Sequence, residues 1–243
     1  MCQLCDVTAP TQSSRRNFLA AACGAAATLA FAPLASAKET KPPPKPQNVL
    51  SPDAALDRLV KGNARYVDGV ARRHDFKHER EALAGGQNPF AGILGCADSR
   101  IAPEYAFDSG RGDLFVCRVA GNFANDDTVA SLEYSVAVLN SPFILVLGHE
   151  SCGAVDATIK SLKDNTTLPG HLPSLVAALT PAVKAVADQA GDKLANATRR
   201  NVIDNVAKLK AATPILSAAV DQGKLKIVGG IYRLGNGKVE LVA

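Results

Sequence analysis

The chain has 243 residues, 47% of them hydrophobic and 21% charged, with a formal net charge of +4. These values exclude a disordered chain, a collagen-like repeat and a polytopic membrane protein. The positive charge is spread along the chain without a dense Lys/Arg tract, so no nucleic-acid partner is expected, and a core poor in aromatics suits helices packed on a buried parallel sheet.

At the start of the chain, Arg15 and Arg16 precede Phe18-Leu19, residues 20–34 are apolar or small, and Ala35-Ser36-Ala37 closes the run. A charged pair, an apolar run and an A-x-A site in that order predict a twin-arginine export signal over residues 1–37 and a periplasmic destination. Cys23 follows Arg16 closely and the apolar run continues past it, so lipid attachment and a lasting membrane anchor are not expected. Cleavage after Ala37 would leave Cys96, Cys117 and Cys152. An odd number of cysteines does not suit a disulfide framework in an oxidising compartment. Lys41-Pro42-Pro43-Pro44-Lys45-Pro46 then makes residues 38–50 an extended linker.

The folded domain is expected over residues 51–243. Ser51-Pro52-Asp53 supplies an N-cap, a first-turn proline and a carboxylate at the positive end of a helix that should reach about Tyr66. Four apolar runs, Ala91 to Gly95, Leu114 to Val119, Phe143 to Leu147 and Leu225 to Ile231, alternate with helical patterns. Helices are expected near 128–139, 153–162, 173–189, 199–211 and 214–222. Such alternation predicts an α/β fold with a central, mostly parallel sheet covered by helices on both faces. Gly235-Asn236-Gly237 between two short apolar stretches predicts a C-terminal hairpin or edge strand. The mixed-charge segment around His74 and His78 reads as solvated surface, and His171 sits in a Gly/Pro loop.

The chemistry lies at two strand ends. The first run ends in Cys96-Ala97-Asp98-Ser99-Arg100 and the third in His149-Glu150-Ser151-Cys152-Gly153. Alone, a strand-end Cys is a small buried hydrophobe and a lone His is usually inert. Together, Cys96, His149 and Cys152 form a Cys₂His set that leaves one tetrahedral position open, as in catalytic zinc sites. Cys117, inside its apolar run, reads as core packing. Asp98 and Arg100 lie on the same side of an extended segment and can form a charge-assisted pair.

These two motifs resemble the zinc signature of the β-class carbonic anhydrases. Gln87-Asn88-Pro89-Phe90, Gly112-Asp113-Leu114-Phe115, Arg118-Val119-Ala120-Gly121-Asn122 and Ser131-Leu132-Glu133-Tyr134 extend the likeness from about Ser51 to Leu241. Ala97 is a small departure, at a position where the family often has Ser. The resemblance implies reversible hydration of CO₂ to bicarbonate by hydroxide on zinc held by Cys96, His149 and Cys152. Two thiolates offset the metal's charge, so the water is less acidified than with neutral ligands, and an acceptor such as Asp98 becomes useful. The family pattern also implies that Asp98 can ligate zinc in a closed state until Arg100 captures it. Ile93 stands where members with an inhibitory bicarbonate site carry Trp, which favours the open state. By the same carry-over, Gln87, Phe115 and Tyr134 would line a substrate pocket at the interface of a homodimer or dimer of dimers, and Gly153 would let a helix N-terminus approach the ligands. Two alternatives share the fold: a hydrolase of carbonyl sulfide or carbon disulfide, and a non-catalytic zinc protein.

Overall fold

The structure, a computed structural model, describes residues 49–243. The expected export signal lies outside the described residues, as does the expected linker up to residue 48. Helix α1 (Pro52–Val67) begins as its residues dictate: the Ser51 hydroxyl accepts the Ala54 N–H at 3.2 Å, Pro52 opens the first turn and Asp53 faces the positive end of the dipole. After α2 (Phe76–Leu83), the chain runs β1 (Ala91–Gly95), α3 (Pro103–Ala106), β2 (Leu114–Arg118), α4 (Asp126–Ala137) and β3 (Phe143–His149). It continues through α5 (Gly153–Asp164), α6 (Leu172–Ala185), α7 (Lys193–Lys210), α8 (Ile215–Asp221), β4 (Lys226–Tyr232) and β5 (Val239–Leu241).

The five strands form one sheet in the order β2-β1-β3-β4-β5, parallel except for the antiparallel β4–β5 hairpin, in which Tyr232 faces Val239. Because consecutive side chains leave a strand on opposite faces, β1 and β3 feed two separate cores. Ile93, Phe143, Leu145 and Leu147 pack beneath α1 with Ala55 and Leu59. Leu94, Ile144 and Val146 meet Val202, Val206 and Leu209 of α7, Leu132 of α4 and Leu216 of α8 on the other side. Close approach explains two strand glycines. A Cβ on Gly148 would lie 2.6 Å from Val202 Cγ2, and one on Gly229 would lie 2.6 Å from Val202 Cγ1.

Some elements depart from expectation. Helix α2 falls within a segment read as exposed surface, because FKHEREAL has no buried face to generate an apolar period; Asp75 caps it by accepting the His78 N–H at 3.1 Å. Helix α7 starts six residues before expected, since Asp192 caps the N–H groups of Leu194 and Ala195. The sheet is not covered throughout. β1, β3 and β4 are almost wholly buried, whereas edge strand β2 is half-buried. Cys117 is accordingly only half-buried, packed against the α4/α7 core rather than enclosed by it. Among the described residues, no helix is long and apolar enough to cross a membrane.

Candidate metal centre

The strand order creates the site. From β1 the chain crosses to β2 on one side, then returns to β3 on the other, so the carboxyl ends of β1 and β3 flank the point where the direction of winding reverses. Crevices of open α/β sheets form at such points. Gly95 pairs in register with Leu147, so Cys96, just past β1, lies close to His149 at the end of β3. The chain then turns through Glu150 and Ser151, the latter with φ +54°, and Cys152 becomes the N-cap of α5.

The result is a buried constellation: the Cys96 and Cys152 sulfurs and one His149 ring nitrogen all lie within 4.8 Å of one another. His149 Nδ1 is 2.9 Å from the Glu150 carbonyl, a contact it makes as an N–H donor, which fixes the tautomer and leaves Nε2 with its lone pair. Nε2 is buried and has no hydrogen-bond partner. A buried, unpartnered imidazole nitrogen beside two thiols suits a cation with a taste for sulfur and nitrogen, so these residues fit a zinc-type ion. The Gly121 N–H donates to the Cys96 sulfur at 3.3 Å.

The electrostatics agree with that fit. The Cys152 thiol, hydrogen-bonded to Cys96, pulls the Cys96 pKa down to about 4, while the same contact together with burial pushes Cys152 far up. A cation held by both sulfurs would displace the proton between them. Burial opposes charge on His149, but the neighbouring Cys96 sulfur and the Glu150 carbonyl more than offset it and raise the imidazole.

Asp98 is 3.9 Å from His149 Nε2. Arg100 grips its carboxylate with two donors, Nε to Oδ1 at 2.9 Å and Nη2 to Oδ2 at 2.7 Å, and the Arg100 backbone N–H adds a third at 2.9 Å. The hydrogen bonds from Arg100 hold the Asp98 carboxyl well below the usual carboxylate range. Arg118, whose sequence reading carried no role, donates Nε to the Cys96 carbonyl at 2.8 Å and Nη2 to the Asp98 carbonyl at 2.6 Å. Its legible signals were a basic residue at the end of an apolar run and its place in the Arg118-Val119-Ala120-Gly121-Asn122 stretch that matches the family pattern. Glu150 is a further contributor, its carboxylate accepting the Gly235 N–H of the terminal hairpin at 3.3 Å.

The remaining expected residues are not gathered there by a single chain. Phe115 pairs with Gly92, toward the opposite end of β1 from Cys96, and Gln87 precedes that same end. Phe115 and Tyr134 do meet, with ring centroids 6.3 Å apart. Gly153 borders the site, but a Cβ there would meet nothing within 4 Å, so within one chain no close approach demands glycine.

A mostly parallel α/β sheet with a buried Cys₂His cluster at its switch point defines a candidate metalloprotein of the doubly wound class. The sequence model of the family described as carbonic anhydrase matches residues 91–239, which include all three candidate ligands. Carbonic anhydrase 2 of Mycobacterium tuberculosis is 40% identical over 192 residues, covering 79% of this chain and 93% of that protein. The solved structure of the β-carbonic anhydrase CcaA is 29% identical, with a TM-score of 0.59 over 77% of this chain and 98% of that one. A tetrameric β-carbonic anhydrase from Sordaria macrospora shares the fold at a TM-score of 0.62, with 24% identity over 79% of this chain and 95% of that one. The chain belongs to the β-class carbonic anhydrase family.

Proposed function

We propose that this protein is a zinc enzyme that interconverts CO₂ and bicarbonate, with Cys96, His149 and Cys152 as the metal ligands. The observation that carries this reading is the unpartnered His149 Nε2, buried within 4.8 Å of two thiols and 3.9 Å from an ionised carboxylate. Zinc bound there would supply Lewis acidity, lowering the pKa of a coordinated water so that a nucleophilic oxygen is available near neutrality. Three protein ligands leave one tetrahedral position for that role.

The chain's own residues then have separate tasks. The Glu150 carbonyl fixes the imidazole tautomer, so His149 presents its Nε2 lone pair toward the two sulfurs. Arg100 keeps Asp98 ionised and oriented. Asp98 Oδ2 serves as the hydrogen-bond acceptor for water or bicarbonate in the site, orienting an oxygen lone pair toward the CO₂ carbon. A purely structural metal site has no need of a tethered carboxylate facing its ligands, which favours catalysis over a non-catalytic zinc protein.

Completion of the substrate pocket by a second copy follows from the same reading. Edge strand β2 is half-buried, Tyr134 is 48% exposed, and a groove of about 800 Å³ beside β2 is lined by Phe76, Tyr105 and Leu114. Such an apolar rim favours burial against another surface. A homodimer or dimer of dimers would cover it and could bring the Gln87 amide, Phe115 and Tyr134 of one subunit toward the ligands of the other. The twin-arginine signal over residues 1–37, the linker over 38–50 and a periplasmic location complete the proposal, supported by the sequence alone.

Stopped-flow CO₂ hydration by zinc-loaded protein, with metal analysis and with carbonyl sulfide and carbon disulfide run in parallel, tests the reaction. Rapid CO₂ turnover with one zinc per chain is the expected result. Hydrolysis of only the sulfur substrates, or bound zinc with no turnover at all, overturns it.

A further inference from the structure

We infer that Arg118 is a positioning residue of the metal centre, acting through the backbone that carries Cys96 and Asp98 and not through any contact with substrate. This rests on the reading of Cys96, His149 and Cys152 as metal ligands. Arg118 ends β2 and pairs in register with Gly95, the last residue of β1. Its guanidinium reaches over the segment that follows β1, with Nε on the Cys96 carbonyl at 2.8 Å and Nη2 on the Asp98 carbonyl at 2.6 Å. Both acceptors are main-chain oxygens of residues spaced by two, so one rigid fork spans the segment between a metal ligand and the carboxylate that faces the metal.

Asp98 is thus held at both ends by different arginines: Arg100 takes its carboxylate and Arg118 its carbonyl. The neighbouring backbone bonds reinforce the same frame. The Val119 N–H donates to the Gly95 carbonyl at 3.1 Å, the Ala97 N–H to the Val119 carbonyl at 3.3 Å, and the Gly121 N–H to the Cys96 sulfur at 3.3 Å. The β2 end is therefore a template on which the Cys96–Asp98 segment is laid. A reacting geometry tolerates little displacement of a ligand or acceptor, and outer groups that orient ligands are commonly worth about 10–100-fold in metal affinity or activity. Because Arg118 touches neither carboxylate nor sulfur, its loss should leave the donor set intact but loosely aimed.

The test uses the full mature protein and two variants, Arg118→Met, which keeps much of the stem without donors, and Arg118→Lys, which keeps the charge but loses the rigid fork. Zinc affinity is measured by competition with a chromogenic chelator, kcat and KM by stopped-flow CO₂ hydration, and apoprotein stability by thermal melting. Arg118→Met is expected to bind zinc roughly 10–100-fold more weakly and to lose kcat with KM little changed. Arg118→Lys should show a smaller loss of affinity in the same direction, and it carries the test alone if Arg118→Met does not fold. Parent-like zinc affinity and kcat in a folded variant overturn the inference, as does a lowered apoprotein melting temperature with affinity and kcat unmoved, which marks a structural role only. Failure of the unmodified protein to bind zinc or hydrate CO₂ is a different result: it removes the metal reading itself, and the inference with it.

Discussion

Replacing Asp98 by Asn probes the proposed chemistry most directly, because the two side chains are nearly isosteric and differ in charge. The carboxylate lies 3.9 Å from His149 Nε2 and accepts three hydrogen bonds from Arg100. Arg100's side chain is 52% exposed, so solvent screens the pair and it contributes little to folding. Thermal stability should therefore scarcely move. Zinc should stay, since the Cys₂His set is intact. Turnover is different: a positioned acid–base group is worth about 10²–10⁴-fold, equivalent to about 2.7–5.4 kcal/mol of barrier. Stopped-flow rates in Asp98→Asn should fall by that factor at every pH. The sign of the pH effect follows from Arg100, which lowers the folded pKa of Asp98. The ionised form is present above the ordinary carboxylate range and is lost only as pH falls through the lowered value. A rise in wild-type activity between mildly acidic and alkaline pH therefore belongs to the nucleophile and not to Asp98. Normal rates in a zinc-replete Asp98→Asn protein, or a variant deficit that disappears between pH 6 and 9, would refute the reasoning.

Cys96→Ala, His149→Ala and Cys152→Ala should each release zinc and abolish CO₂ hydration, as read by metal analysis, whereas Cys117→Ala should retain both at a packing cost of ~1 kcal/mol. Gly148→Ala places a Cβ 2.6 Å from Val202 Cγ2 and 3.3 Å from Ile231 Cδ1, one residue before His149. Overpacking of about 1–3 kcal/mol is expected in denaturant titrations, and Val202→Ala in the same chain should relieve part of it. Asp108, with its side chain only 4% exposed, pairs with Arg65 and accepts the Arg72 N–H at 2.9 Å. Burial works against its charge, but Arg65 and Arg72 win and lower its pKa. Asp108→Asn should cost about 1.5–3 kcal/mol at neutral pH without new strain at φ +41°, which Asn tolerates. That deficit should shrink in acid, as pH falls through the lowered wild-type pKa, when measured by denaturation across pH.

The sequence by itself determined the local elements and the donor set. Ser51-Pro52 started α1 because a hydroxyl acceptor and a preset φ act within a few residues, and the apolar runs of β1 and β3 are unbroken because a strand buried on both faces must be apolar at every position. Cys96, His149 and Cys152 were legible as a candidate donor set because soft donors are rare and each stands at the end of an apolar run. Apolar periodicity could not show α2, whose charged residues bury no face, nor the early start of α7; the local signals there were the Asp75 and Asp192 caps. Tertiary structure decided the rest through long-range pairing. The order β2-β1-β3 brings residues 96 and 149 together and puts β2 at an edge, leaving Cys117 half-buried and setting Phe115 and Gln87 away from the metal ligands of their own chain. That same pairing lays the Arg118 fork across the Cys96 and Asp98 carbonyls. An arginine's partners are chosen by whichever strand lies beside it, and no local period in the sequence records that choice.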